Sequence, residues 1–373
     1  MKGNEITFFF VAGETSGDLH GSRLIREIKR LYPASRFVGH GGDRMKAEGM
    51  EVVEHINNLA IMGFTEVIRR LPYMLRVMKT TVEKLKQYQP DRLILIDYPG
   101  FNLRLARKAG DLGIPITYFI LPQVWAWKEK RVSVLREYVD QALCIFPFEQ
   151  AWFEKRGVRA DFVGHPFVEQ TVTGNTDPFY ERHGLKRQAP VLVLLPGSRQ
   201  QEIDRHWSIF LETADRLKRQ VPDLQVVVGR APAVDLNPLP DYVKMEEREI
   251  QTAMMAGTAA LVASGTATLE AAVLDLPMVV CYRLSAPTWW LARRMAKVPY
   301  ASMVNLIVGR RVVPEYLQSD MTPGNLAGAV LPLLTNTTER KTMLSGFEEV
   351  RRTLGLPGVY ERAANAILSE TQR

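Results

Sequence analysis

Short apolar runs alternate along this chain with longer stretches in which apolar residues return every three or four positions. The runs are nearly continuous in valine, isoleucine, leucine and phenylalanine, without the alternation of a strand that faces water on one side. They read as strands buried on both faces, the pattern of a parallel sheet covered by helices. In the first half the pattern predicts strands at 6–12, 36–39, 92–97, 115–121, 142–146 and 161–163, with helices between them, for instance over 21–31 and 103–112. At 164–177 it lapses into polar and turn residues, among them Thr171, Thr173, Gly174, Asn175 and Thr176. It restarts with strands at 191–195, 225–228, 259–262 and 278–281, and two helices broken at Gly355-Leu356-Pro357-Gly358 occupy 338–370. There is no repeat of solenoid period and no low-complexity tract. The expected fold class is α/β, with two Rossmann-like domains over 1–168 and 178–350 facing across a cleft. In such sheets ligands bind at the carboxyl ends of the strands, so chemistry is to be sought in the loops that follow them.

Composition narrows the picture modestly. A chain of 373 residues suits two domains. No apolar stretch reaches the roughly 20 residues of a membrane span. The apolar start, 6–12, is short and is followed by Gly13-Glu14-Thr15-Ser16-Gly17-Asp18 without a small-residue cleavage site, so a cytoplasmic protein is expected. Cys144 and Cys281 each sit inside an apolar run and read as buried thiols. His20, His40, His55, His165, His183 and His206 are scattered, which gives no metal-ligand spacing, and no metal is expected. A formal charge of +7 suits an anionic partner: nucleic acid, acidic lipid headgroups or phosphorylated metabolites. The basic residues are dispersed and form no recognised nucleic-acid module, so nucleic acid is not expected.

Five loops carry candidate chemistry. The first, 11–21, joins a strand to a helix and holds Glu14, Ser16, Asp18 and His20. It matches neither the dinucleotide fingerprint nor the P-loop, so NAD or P-loop ATP binding is not supported. It reads either as a turn capped by Thr15 or Ser16, or as a ligand loop that uses the helix start. In the second, 195–199, Ser198 is placed to cap a helix and Arg199 can present a forked donor to phosphate. In the third, 263–270, Ser264, Gly265 and Thr266 can meet a diphosphate, and Glu270, one turn into the helix, suits the paired hydroxyls of a ribose. In the fourth, Asp97 ends an apolar strand. Its carboxylate is either a partly desolvated general base or a cap for the next helix. The fifth, 122–128, holds Trp125 and Trp127, which pack or bind.

From Phe64 to Met78 and on to Leu85, apolar residues recur at helical spacing, with Arg69, Arg70, Arg76 and Lys79 off the stripe. Pro72 is expected to break this segment and start a second helix. The stripe reads by default as a core-facing helix pair, and an interfacial membrane patch also fits. The segment from Trp289 to Met295 has a similar character.

The loops resemble those of the lipid-A-disaccharide synthase family. Matching segments are 11–18 (VAGETSGD), 36–39, 62–67, 95–102, 124–128 (VWAWK), 147–149, 163–165, 195–199, 263–270, 278–283 and 305–310. They follow the family order from about residue 6 to beyond 330. The resemblance implies a glycosyltransferase-B fold, with 351–373 as a C-terminal helix returning to the N-terminal domain. It implies metal-free, inverting transfer of 2,3-diacylglucosamine from UDP-2,3-diacylglucosamine to the 6-hydroxyl of 2,3-diacylglucosamine 1-phosphate (lipid X). The products would be UDP and the lipid A disaccharide 1-phosphate. Membrane contact through the region from Phe64 to Met78, peripheral at the cytoplasmic face of the inner membrane, is implied as well, as is a homodimer. Among single residues it implies Asp97 as catalytic base, with Glu14 and His20 as rivals, and Arg199 on the departing diphosphate with helix-start amides after Ser198 and Ser264. Glu270 would hold the uridine ribose, Asn305 would lie near the donor, and Glu14, Ser16 and Asp18 would line the acceptor side. The chain departs from the family pattern at Gly100, where a second aspartate is usual, and at Gln123 and Tyr98. An epimerase or hydrolase of UDP-HexNAc on the same fold is the alternative enzyme, and a basic protein that binds anionic surfaces by charge is the non-catalytic one.

Overall fold

The computed structural model of the protein describes residues 5–59, 64–169, 174–232, 234–295 and 298–372, and at 64–71, 127, 291, 292 and 295 the backbone alone. Residues 62 and 63 of the motif at 62–67, and 170–173 within the expected boundary, lie outside the described residues. The chain divides into two compact units, one of Met1–Glu169 with Leu354–Arg373 and the other of Gln170–Thr353.

The first unit is built on seven parallel strands: β1 (Ile6–Val11), β2 (Ser35–Gly41), β3 (Glu51–His55), β4 (Arg92–Ile96), β5 (Ile116–Phe119), β6 (Gln141–Cys144) and β7 (Ala160–Phe162). Their order across the sheet is β3-β2-β1-β4-β5-β6-β7. Phe8, Phe9 and Phe10 are all fully buried, which requires cover on both faces and explains the unbroken apolar run. The helix Thr15–Leu31 covers one face with Leu24, Ile25 and Ile28. It begins earlier than 21 because Gly21, which reads as a breaker, sits inside it. A Cβ there would lie 2.6 Å from Met45 Sδ, so glycine answers a close approach and not a turn. Beside this helix lies the last one, Val359–Thr371, burying Tyr360, Ala363, Ala364, Ile367 and Leu368. Buried Arg92 ties its end to the sheet, donating to Thr371 Oγ1 at 2.8 Å and to the Glu370 carbonyl at 2.7 Å.

One helix, Phe64–Tyr88, runs through Pro72 without breaking. A proline removes one N–H and crowds the preceding turn. Here the turns beyond it are fixed by burial of Val77, Met78 and Leu85, and the helix absorbs the loss. That burial makes the stripe core-facing from residue 77 onward, while Leu75 is 61% exposed.

The second unit holds six parallel strands: β8 (Val191–Leu195), β9 (Gln225–Gly229), β10 (Val243–Glu246), β11 (Ala259–Ala263), β12 (Met278–Tyr282) and β13 (Glu315–Leu317). They are ordered β10-β9-β8-β11-β12-β13. The expected strands are every central one of both sheets and the edge strand β7. β3, β10 and β13 were not expected; each is an edge strand with one flank or face toward solvent, and none carries a continuous apolar run. Both sheets reverse their winding once, between β1 and β4 and between β8 and β11. At such a switch point the loops on either side diverge and leave a crevice at the strand ends.

Candidate active site

The loops after β1 and β4 flank the switch point of the first sheet. Glu14 occupies the N-cap position of the helix Thr15–Leu31 but makes no side-chain cap bond, so neither Thr15 nor Ser16 is the cap. Glu14 and Ser16 are exposed. After β4 the backbone passes through two left-handed residues, Asp97 at φ 42° and Tyr98 at φ 47°. For non-glycine residues this costs roughly 1–3 kcal/mol each and persists only where surroundings enforce it. The Tyr98 ring lies over Gly13, where a Cβ would come within 2.3 Å of it, so the two loops interlock through the missing side chain. Tyr98, not Asp97, holds the N-cap position of the helix Pro99–Gly110, and the capping alternative for Asp97 falls away. Burial raises the Asp97 carboxyl to about 6, the charge of Glu14 adds to the rise, and the Tyr98 N–H opposes it. A carboxylate that titrates near 6 is ionised at neutral pH and basic enough to take a hydroxyl proton.

Two expected residues of this loop have other tasks. Asp18 is buried and accepts from the N–H groups of Gly42, Arg44 and Met45 at 2.7, 3.2 and 3.1 Å. It caps the short helix Asp43–Ala47 and does not line an acceptor surface. His20 meets the Tyr360 hydroxyl through Nδ1 at 2.8 Å, and burial, with Arg23 adding to it, lowers its pKa to about 4. It fastens the last helix and is not presented as a base. Trp125 is buried, donates its indole N–H to Glu149 at 2.9 Å and packs edge-on against Phe148; the side chain of Trp127 is outside the described residues.

In the second unit, the strand ends around the switch point enclose a cavity of about 760 Å³. It brings together Ser198, Arg199, Ser264, Gly265, Thr266 and Glu270 from two loops far apart in sequence. Arg199, not Ser198, takes the N-cap position of the helix Gln200–Gln220. The cap is closed by Glu202, whose carboxylate accepts from the N–H groups of Ser198 and Arg199 at 3.0 and 3.3 Å. The Arg199 side chain is left 80% exposed, with its guanidinium 3.8 Å from Glu202. Ser264 is also partly committed, since its N–H donates to the Cys281 carbonyl and its hydroxyl to that of Ala301. Thr266 and Ala267, the first residues of the helix Thr266–Val273, line the cavity, with the positive end of the helix behind them. Glu270 is oriented by Gln251 Nε2 at 2.6 Å.

Asn305 does not line this cavity. It is wholly buried; its Oδ1 accepts from the Val312 and Val313 N–H groups, and its Nδ2 donates to the Val313 carbonyl and Glu315. All its hydrogen-bonding capacity serves the turn before β13. Conversely, Arg248, from the loop after β10, and Gln251, from the first turn of the helix Ile250–Ala256 that follows it, line the cavity and were not anticipated. That loop follows an edge strand without an apolar run, so nothing in the pattern announced it. Among the described residues no cluster of three or more His, Cys, Asp or Glu side chains could hold a metal ion.

Two doubly wound parallel sheets, one with a basic carboxylate and the other with a phosphate-competent cavity at its switch point, place the protein in the glycosyltransferase-B fold class. The calicheamicin glycosyltransferase CalG4 superposes with a TM-score of 0.63 at 18% identity, over 100% of this chain and 99% of that one. A putative UDP-N-acetylglucosamine 2-epimerase from Listeria monocytogenes gives 0.66 at 13% identity, over 99% and 96%. At such identities these likenesses speak for the fold alone. Sequence decides the family: the model of lipid-A-disaccharide synthetase matches residues 8–366. The lipid-A-disaccharide synthase of Myxococcus xanthus is 42% identical over 96% of both chains, and that of Pectobacterium atrosepticum 37% over 99% of this chain and 98% of its own. The chain belongs to the lipid-A-disaccharide synthetase family, glycosyltransferases of lipid A biosynthesis. The epimerase or hydrolase alternative is not favoured.

Proposed function

We propose that the protein transfers 2,3-diacylglucosamine from UDP to the 6-hydroxyl of 2,3-diacylglucosamine 1-phosphate, with the second unit holding the donor and the first the acceptor. The observation that carries this reading is Asp97, a carboxylate raised to about 6 at the end of a central strand. In the proposed step Asp97 takes the acceptor hydroxyl proton as that oxygen attacks the anomeric carbon. The bond to the UDP oxygen breaks on the opposite face, which inverts the configuration. The charge that develops on the diphosphate meets Arg199 and the first amides of the helix Thr266–Val273, donors set in place before the reaction. Glu270 accepts from the ribose hydroxyls in the orientation Gln251 gives it, and Glu14 stands beside the acceptor. Peripheral attachment to the inner membrane through the helix Phe64–Tyr88 is part of the proposal, supported by exposed Leu75 next to exposed Arg76 and Lys79.

The test mixes purified protein with UDP-2,3-diacylglucosamine in detergent and EDTA, with and without 2,3-diacylglucosamine 1-phosphate. UDP and disaccharide are followed by mass, and Asp97→Asn is run alongside. Acceptor-dependent disaccharide that largely disappears in the variant is expected. Equal UDP release without acceptor, or full activity in the variant, refutes the reading.

A further inference from the structure

The left-handed pair Asp97–Tyr98 needs something to hold it, and the structure places one side chain where it can. Asn102 lies in the first turn of the helix Pro99–Gly110 and is wholly buried. Its Nδ2 stands 2.8 Å from the Asp97 carbonyl, 3.2 Å from that of Ile96 and 3.4 Å from that of Val11. The Val11 and Ile96 carbonyls are the last of β1 and β4, the paired strands whose following loops diverge at the switch point, and that of Asp97 comes one residue later. The Tyr118 hydroxyl donates to the same Asp97 carbonyl at 2.6 Å. No described group reaches Asn102 Oδ1. A leucine would fill this space without a stranded buried oxygen, so packing alone does not account for an amide here. What the amide supplies is a donor at the point where the backbone departs from the strand. We propose that Asn102 is the positioning residue of the site: its amide clamps the Asp97 carbonyl to the ends of β1 and β4 and so aims the Asp97 carboxylate at the acceptor hydroxyl.

The proposal rests on Asp97 being the base. Its test is a double-mutant cycle of Asn102→Leu with Asp97→Asn, read in single turnovers, with KM for both substrates and the pH profile of kcat measured on Asn102→Leu. A misaimed base loses on the order of ten- to a hundredfold in kcat. The expected result is such a loss with KM within about twofold of the parent, an acid limb displaced from the parent's, and no further loss when Asn102→Leu is added to Asp97→Asn. Tyr118→Phe removes the second donor, along with the Tyr118 hydroxyl's contact to the Asn102 side chain, and leaves the Asn102 amide in place; it is expected to lower kcat by a smaller factor and again to have no effect without Asp97. Equal losses in both backgrounds indicate a role in folding only and overturn the proposal. So does an Asn102→Leu enzyme, or for want of a folded one a Tyr118→Phe enzyme, that keeps the parent kcat and acid limb while Asp97→Asn is dead. Full activity in Asp97→Asn overturns the base assignment itself, and the positioning role with it.

Discussion

Asp97→Asn exchanges a carboxylate for an amide of the same volume. Asparagine is also among the few residues that tolerate the left-handed conformation found here, so the change isolates charge from backbone strain, which alanine would not do. The folded protein keeps the Asp97 proton up to about pH 6, whereas the unfolded chain releases it near the ordinary value of 3.8. Between those values the folded state binds more protons, so stability falls as pH rises, and above about 6 the whole penalty is present. A rise of about two units corresponds to about 3 kcal/mol at 1.36 kcal/mol per unit, a ceiling because Asp97 keeps a partly solvated edge. At pH 8 the variant should therefore be the more stable protein. For a unit of this size its first thermal transition should rise by several degrees, at most about 6–12 °C, while kcat falls by about 10²–10⁴. The difference should fade as the pH falls between the two values and vanish below about 3.8, where Asp97 is protonated in the folded and the unfolded protein alike. Paired thermal scans across pH 4–8, with disaccharide formation assayed on the same samples, supply the comparison. A variant less stable than the parent at pH 8, or a gain that does not fade with acidification, would refute a desolvated base at this position.

Three further outcomes follow from residues placed above. Asn305→Ala strands the buried N–H of Val313 and the half-buried one of Val312, and should cost the second unit about 1–3 kcal/mol. Calorimetry well below the melting point should find its affinity for UDP unchanged, because Asn305 does not face the cavity. Gly13→Ala drives a methyl into the Tyr98 ring and should cost about 1–3 kcal/mol, with kcat lowered together with the thermal midpoint; an unaltered midpoint would contradict the interlock. Leu75→Asp should reduce flotation with anionic phospholipid vesicles and leave turnover on detergent-dispersed substrates near the parent value, and parent binding should weaken as salt rises.

The parts of this molecule that could be read in its sequence are those where local pattern and tertiary environment agree. The central strands bury both faces and announce themselves by composition; β1, with three successive phenylalanines at no exposure, is the extreme. The edge strands β3, β10 and β13 gain their conformation from a single neighbour and leave no such trace, and Arg248 and Gln251, in the loop and helix start that follow β10, went unnoticed with it. Loops flanking the two switch points were legible because polar residues after an apolar run have few structural excuses. Their internal division of labour was not. Whether a buried polar side chain faces a ligand or its own backbone depends on which N–H and C=O groups the fold strands nearby. Asp18 and Asn305 were consumed in that way, and Glu202 took the capping role that Ser198 was expected to fill.

The return of the helix Val359–Thr371 to the first unit bears on how the protein is made. Synthesis proceeds from the N-terminus, yet the first unit lacks a structural helix until residues 359–371 have left the ribosome. Until then the apolar face awaiting Tyr360, Ile367 and Leu368 is bare, and Arg92 has neither Thr371 nor the Glu370 carbonyl to donate to. Gln141 likewise waits for the Ala366 carbonyl, which it meets at 3.0 Å. The second unit, contiguous in sequence, can finish first, so a nascent chain arrested near residue 353 would carry a completed C-terminal unit behind an N-terminal one that is a client for chaperones.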